Sequence, residues 1–221
     1  MSIEVTYIDH MGSDLSVVNA ARVSFGKTSE MDMSDQWGPP KLKEKDAKLI
    51  KYLAKHKHMS PFNHTFLTVH VKAPIFVARQ LQKHEYMPWN EISRRYSTEK
   101  IFFYEPDYWR DKSKDKKQGS GGKSQSQYFP NIYVKEVAEK ALGDYKKMLT
   151  QGIAPEQARM ILPQNMMTEW YWSGTVGAFA KMCNLRCKPD TQLETRIVGN
   201  EVSDIMLRYF PVSWEALRHD Y

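Results

Sequence analysis

The sequence predicts a single α+β domain, and three observations carry that expectation. Two well-separated segments, IEVTYI at 3–8 and TFLTVHV at 65–71, have the patterning of half-buried strands. Longer segments space their apolar residues three and four apart, the signature of amphipathic helices. No internal repeat and no linker divides the 221 residues, a length that suits one sizeable core.

The elements follow in order. IEVTYI alternates and reads as a strand. SDLSVVNAARVSF (13–25) offers Ser13 or Asp14 as the cap of a short helix, because a side-chain oxygen there accepts from the otherwise unpaired N–H groups of the first turn. Residues 27–40, ending in Gly-Pro-Pro, read as a loop. In 41–58, Leu49, Ile50 and Leu53 recur at helical spacing among lysines, so a helix with a solvated basic face is expected. Leu67, Val69 and Val71 share one face of the second strand. Pro74 suits a first helical turn, and IFVARQLQKH continues as a helix that stops before Pro88. On that helix Gln80 and His84 would share a face, as would Arg79 and Lys83. Residues 110–127 contain no apolar side chain and read as a mobile basic loop. An amphipathic helix is expected over 134–149, closed by Gly152; Pro155 opens a short helix; MMTEWYWSGT is aromatic enough for a strand; and 193–210 forms a final long helix.

Composition narrows the function. A net charge of +6 points to anionic partners, either nucleic acid or phosphorylated small molecules. MSIEVTYIDH lacks the apolar core of a secretory leader, and two cysteines are too few for a disulfide framework, so a cytoplasmic protein is expected. No apolar run approaches a membrane span. There is no P-loop, no G-x-G-x-x-G, no serine elbow and no kinase signature.

Four polar constellations remain. RQLQKHEYMPWNEISRRYS (79–97) mixes many hydrogen-bonding types with Tyr86, Trp89 and Tyr96. Within it Ser93 and Arg95 make a reasonable phosphate grip, since a guanidinium binds phosphate through two parallel N–H donors; a salt-bridged surface turn is the alternative. His56, His58 and His64 have no acidic or cysteine partner at ligand spacing, so hydrogen-bonding histidines are expected and no metal. Arg159, in an otherwise apolar turn, is either buried in a pair or aimed at an anion. Cys183 and Cys187 have neither redox nor zinc spacing and read as inert buried thiols, while Arg186 between them is a further anion or carbonyl contact, or a structural arginine paired with Glu194 or Asp190.

HMSPFNHTFLTVHVKAPIFVARQ followed by KHEYMPWNEISRRYS resembles the flavin-dependent thymidylate synthases, whose corresponding blocks read H-x-x-P-F-x-H, R-H-R and N-E-x-S-x-R-Y. ARMILPQN and NLRCKPDTQLE continue the resemblance, so the matching blocks run from about His58 to Glu194. The resemblance implies a central mixed or antiparallel sheet flanked by helices, and conversion of dUMP to dTMP. Methylenetetrahydrofolate would be the carbon donor, NADPH the reductant and FAD the relay, in a homotetramer whose active sites are shared between subunits. Carried over by position, Gln80, Glu91, Ser93, Arg95 and Arg159 would hold the nucleotide, and Arg186 would face the pyrimidine ring. Ser60, Lys83, His84, Glu85, Asn90 and Lys181 would lie on the cofactor side, with His58 near flavin and folate. The residues implied in catalysis are Arg186, Ser93 and His58.

This chain departs from the family pattern on the flavin side. Lys83-His84-Glu85 replaces R-H-R, which keeps one charge without its planar fork and reverses another. Thr175, Gly177, Lys181 and Asp190 stand where the family has Asn, Arg, Asn and His, and Lys181 restores the charge that Glu85 removes. These departures open a variant reading, a relative acting on dCMP or leaving a hydroxymethyl group. A different class of reading, a nucleic-acid binder using 41–58 and 110–127, leaves the simultaneous match of Gln80, Glu91, Ser93, Arg95, Arg159 and Arg186 unexplained. Nucleic acid and membrane are therefore not expected as partners.

Overall fold

The computed structural model describes residues 2–35, 38–114 and 119–218. Its centre is a four-stranded antiparallel sheet in the order β1-β2-β4-β3, built from β1 (Glu4–Met11), β2 (Phe66–Pro74), β3 (Trp89–Glu91) and β4 (Met167–Thr175). The α+β expectation holds, and the sheet is antiparallel throughout.

The alternation that marks β2 explains why the sheet is one-sided. Leu67, Val69, Val71 and Ala73 are fully buried, while Thr68, His70 and Lys72 point the other way. On β4, Trp170 and Trp172 face the same core. The outer face carries polar pairs instead: Thr68 with Ser173 at 2.9 Å, and His70 with Glu169 at 3.2 Å. A strand with one wet face reads as alternating, whereas one buried on both faces reads as a continuous apolar run.

Helices cover the apolar face: α1 (Asp14–Arg22), α2 (Glu44–Lys55), α3 (Ile75–Leu81), α6 (Val176–Arg186), α7 (Leu193–Tyr209) and α8 (Pro211–Leu217), after α4 (Tyr128–Thr150) and α5 (Pro155–Ala158), which pack on each other. Val198, Val202 and Met206 of α7 and Phe179 and Met182 of α6 complete the core, together with Val17, Ile50, Leu53 and Trp214. Ser13 caps α1 reciprocally with Ser16. Buried Asp14, in that first turn, accepts from the backbone N–H groups of Val212 and Ser213 at 2.9 Å each, so it caps α8 from the far end of the sequence. Asp46 on α2, fully buried, takes both Arg22 of α1 and the Ser29 hydroxyl, which fastens α2 to α1 and to the loop between them.

Several elements differ from the sequence expectation. α3 ends at Leu81, short of His84, so Gln80 and His84 do not share a helical face. The chain turns at 82–86, where Tyr86 adopts a left-handed backbone (φ 59°). α4 begins six residues early, at Tyr128, because Tyr128, Phe129, Ile132 and Tyr133 extend the helix with little burial. Short β3, α6 and α8 lie where the sequence predicts no strand or helix. In the basic loop, residues 115–118 lie outside the described residues. The remainder is tied down: Arg110 bridges Lys123, Asp111 N donates to Gly122 O at 3.0 Å, and Ser124 N to Trp109 O at 2.8 Å. Backbone pairing at its root, rather than side-chain burial, gives that segment its shape.

Candidate active site

Strand β2 delivers the chain into α3, and β4 delivers it into α6; because the two strands are antiparallel, the helices start from opposite ends of the sheet. α6 starts cleanly because the Thr175 hydroxyl accepts from Ala178 N at 3.1 Å. It ends at Arg186, which reaches across to the α3 side: Nε donates to His84 Nε2 at 3.1 Å and Nη2 to the Gln80 carbonyl at 3.1 Å. Glu194 is not its partner; that carboxylate accepts both 2.8 and 2.9 Å hydrogen bonds from Arg110 Nη2.

The bond from Arg186 fixes the chemistry of His84. Its Nε2 must hold a lone pair, so in the neutral ring the proton sits on Nδ1. Burial, then the charges of Arg186 and Lys181, hold its pKa down to about 4. His84 is therefore a neutral imidazole carrying its proton on Nδ1 across the physiological range.

Beside this pair opens a cleft of about 1000 Å³, walled by the end of α2, the 83–87 turn, α6 and the end of α8. Lys55, Lys57, Lys83, Lys181 and Arg186 line it against the carboxylate of Glu85. Among the described residues, Lys181 and Glu85 make no ion pair with each other. Gly177 opens the wall: a Cβ there would stand 3.1 Å from Asn63 Oδ1 and 3.3 Å from Met59 Cε. Asn63 is held by the Thr175 hydroxyl at 2.9 Å. Mixed apolar walls, excess positive charge and this volume fit a large anionic aromatic cofactor such as FAD.

Gln80 sits behind the cleft as a junction. Its backbone carbonyl receives Arg186, and its side-chain amide is held from α7, with Nε2 donating to Gln192 Oε1 and Oε1 accepting from Thr195 Oγ1 at 3.1 Å. The structure thus gathers Gln80, Lys83, His84, Glu85, Lys181 and Arg186. Glu91, Ser93, Arg95 and Arg159 do not line the cleft. Glu91 accepts from Thr168 Oγ1 at 2.6 Å and Trp89 Nε1 at 3.1 Å. Ser93 Oγ accepts from Arg95 N at 3.2 Å and Nε at 3.4 Å, so hydroxyl and guanidinium do form one exposed unit. Asn90 is exposed on β3, opposite Tyr171. Arg159 is exposed, its Nε donating to the Glu156 carbonyl at 3.3 Å, so it is not buried in a pair. His58 and Ser60 are exposed beside the cleft residues Lys57 and Met59 without lining the cleft themselves.

The thiols divide. Cys183 is fully buried, and burial pushes its thiol up. Cys187 is half-buried and is a correction to the inert pair: Cys183 first, then Arg218 against the opposing effect of burial, hold it down to about 7. It packs against Gly199 of α7, where an added Cβ would meet its sulfur at 3.1 Å, and neither thiol lines the cleft. Lys55, Lys57, Asn63, Gln192 and Thr195 were not legible as site residues. Lys55 and Lys57 lie in a lysine-rich helix end, Asn63 and Gln192 lie inside the motif blocks without being singled out as site residues, and only the fold brings these residues to Gln80 and the cleft.

A one-sided antiparallel sheet covered by helices, with arginine and neutral histidine meeting where α6 and α3 end, beside a lysine-rimmed cleft, defines an α+β protein suited to anionic aromatic ligands. Comparison with known proteins narrows that class. Residues 6–212 match the family profile described as thymidylate synthase complementing protein, and the chain belongs to this family. The flavin-dependent thymidylate synthase of Thermus thermophilus is 39% identical over 212 residues, 96% of this chain and 74% of that one. That of Thermotoga neapolitana is 34% identical over 215 residues, covering 96% and 89%. Among solved structures, a UMP/dUMP methylase, PolB from Streptomyces cacaoi bound with 5-Br dUMP, superposes with a TM-score of 0.82 at 31% identity, covering 97% of this chain and 94% of that one.

Proposed function

We propose that the protein converts dUMP to dTMP, taking carbon from methylenetetrahydrofolate and electrons from NADPH, with FAD bound in the cleft. The observation that carries this reading is the hydrogen-bonded run His84–Arg186–Gln80 at the cleft wall, in a member of this family. Pyrimidine C5 becomes nucleophilic only when electron density is pushed into the ring; bound flavin supplies that as hydride, so no thiol is required. The placement of both cysteines outside the cleft agrees.

The chain's own residues supply orientation and charge. Arg186 uses two of its five N–H donors internally, on His84 and Gln80, which leaves three for a ring carbonyl that gathers negative charge. The His84 contact pins the guanidinium plane, so the donors are set before substrate arrives. Gln80 faces the nucleotide from α3. Lys83 and Lys181 hold cofactor phosphates, with His84 against the flavin and Ser60 and His58 at its edge; Asn90, which does not line the cleft of its own chain, reaches the flavin from a neighbouring copy, and Glu85 limits the positive charge. Glu91, Ser93, Arg95 and Arg159 complete the nucleotide site from a neighbouring copy in a homotetramer. Their absence from the cleft wall of one chain supports this, as does the exposed apolar face of α4, where Tyr128, Phe129 and Tyr133 are 80%, 71% and 59% exposed.

The test is spectroscopic and chemical. Saturating FAD should bind, NADPH should bleach its absorbance anaerobically, and dUMP with methylenetetrahydrofolate should yield dTMP. Absence of FAD binding by calorimetry would end the synthase reading. The structural neighbour named for both UMP and dUMP makes UMP the comparison substrate, alongside dCMP.

A further inference from the structure

We propose that Arg110, at the root of the basic loop, is a positioning residue for the nucleotide site, acting through Glu194 and the first turn of α7 on Gln80. This rests on the reading of Gln80 as a nucleotide-side residue.

The contacts form one continuous run. Glu194 is 3% exposed, so its charge needs a partner, and Arg110 Nη2 reaches both carboxylate oxygens at 2.8 and 2.9 Å. The same guanidinium donates through Nε to Ser120 Oγ at 2.7 Å, across the loop. Glu194 lies in the first turn of α7 between Gln192 and Thr195, the two residues that grip the Gln80 amide. Gln80 in turn passes its carbonyl to Arg186. A second contact presses the loop onto the same segment: at Gly119 (φ +82°) a Cβ would lie 2.9 Å from the Asp190 carbonyl.

Packing alone does not demand this arrangement. A carboxylate in the first turn of a helix is already favoured by the N–H groups there, and a merely structural acid could stay in water. Burying it costs free energy unless an arginine is brought to it, and the arginine comes from a loop that contributes nothing to the main core. What the pair does is fix the rotation and height of the α7 start. That start decides where both atoms of the Gln80 amide point. With Oε1 and one Nε2 hydrogen held internally, the second hydrogen has one direction left, and Arg110 sets it.

Gln80 is a ground-state contact as much as a transition-state one, so the effect belongs in KM rather than kcat. In the FAD-loaded enzyme, Arg110→Ala should raise KM for dUMP about tenfold with kcat within about threefold, and Arg110→Lys should recover part of the loss. Acting through Gln80, Arg110→Ala should add less than about twofold in a Gln80→Ala background. Trypsin should cut the loop faster in Arg110→Ala with no ligand present. If Arg110→Ala is too unstable, Arg110→Gln with Glu194→Gln exchanges the ion pair for a neutral one and should show the same KM rise. A fall in melting temperature with KM unchanged, or full multiplication of the two effects in the double variant, overturns the positioning role while leaving the nucleotide site standing. Unchanged dUMP affinity in Gln80→Ala overturns the nucleotide reading, and the positioning role with it.

Discussion

Replacing Arg186 by alanine separates a chemical role from a structural one. The side chain makes two charge-assisted contacts, to His84 Nε2 and to the Gln80 carbonyl, both at 3.1 Å. Each such bond is worth roughly 1.5–3 kcal/mol. Part is offset, because burial lowers the Arg186 pKa and the guanidinium repels a proton on His84. The net stability loss should be about 1–2 kcal/mol, or roughly 2–8 °C in melting temperature for a chain of this size. The catalytic loss should be larger. Removing a preorganised donor from a developing charge costs about 2–4 kcal/mol, which lowers kcat/KM for dUMP about thirty- to a thousandfold. Steady-state kinetics on the FAD-loaded variant, with calorimetric melting beside it, measures both. Arg186→Lys, which keeps charge and loses the fork, should fall between. If the folded alanine variant keeps kcat/KM within threefold of wild type while melting early, Arg186 is structural. A wild-type enzyme that methylates dCMP faster than dUMP would sink the uracil assignment.

Three further outcomes are expected. The unfolded chain takes a proton on His84 near pH 6.5, the folded one only near 4, so stability should fall as pH drops through that window; Arg186→Gln should raise the midpoint, seen as a shifted histidine ring resonance. Cys183→Ser with Cys187→Ser should keep turnover within about tenfold, allowing for packing losses at buried Cys183, and loss of all activity in a folded double variant would mean a thiol takes part. Mixing inactive Arg159→Ala and Arg186→Ala chains should restore some activity by placing an intact site between unlike copies; sedimentation of an active monomer would refute shared sites.

The parts of the fold readable in advance are those where one residue type settles a local choice. Alternating Leu67, Val69 and Val71 defined β2, Pro155 opened α5, and Gly152, with φ +82°, lies just past the end of α4. α6 was hidden because its outward side is not polar throughout: Ala178 and exposed Leu185 stand beside Lys181 there, opposite buried Val176, Phe179, Ala180, Met182 and Cys183, so the apolar pattern shows no clear period. α8 was hidden by its length of seven residues. In the site, Arg186 stood out because a charge between apolar neighbours needs a reason, whereas its true partner His84 lay 102 residues away and was expected on a helix that ends three residues earlier. Gln192 and Thr195 carry no such anomaly; an amide and a hydroxyl at a helix start are ordinary until the tertiary structure sets Gln80 against them.

The capping of α8 by Asp14 bears on the order in which a chain leaving the ribosome becomes competent. Val212 and Ser213 meet an acceptor made almost two hundred residues earlier, and the helix they begin packs on α2 and supplies Ala216 and Leu217 to the cleft. The sheet strands and the Arg186–His84 contact are complete in sequence by residue 186, so they can assemble while the cleft still lacks one wall. With FAD in the cleft as proposed, flavin capture would be deferred to the end of synthesis. Nascent chains arrested before residue 211 should resist protease in the sheet yet retain no flavin, and retention by such chains would show that α8 is dispensable to the cleft.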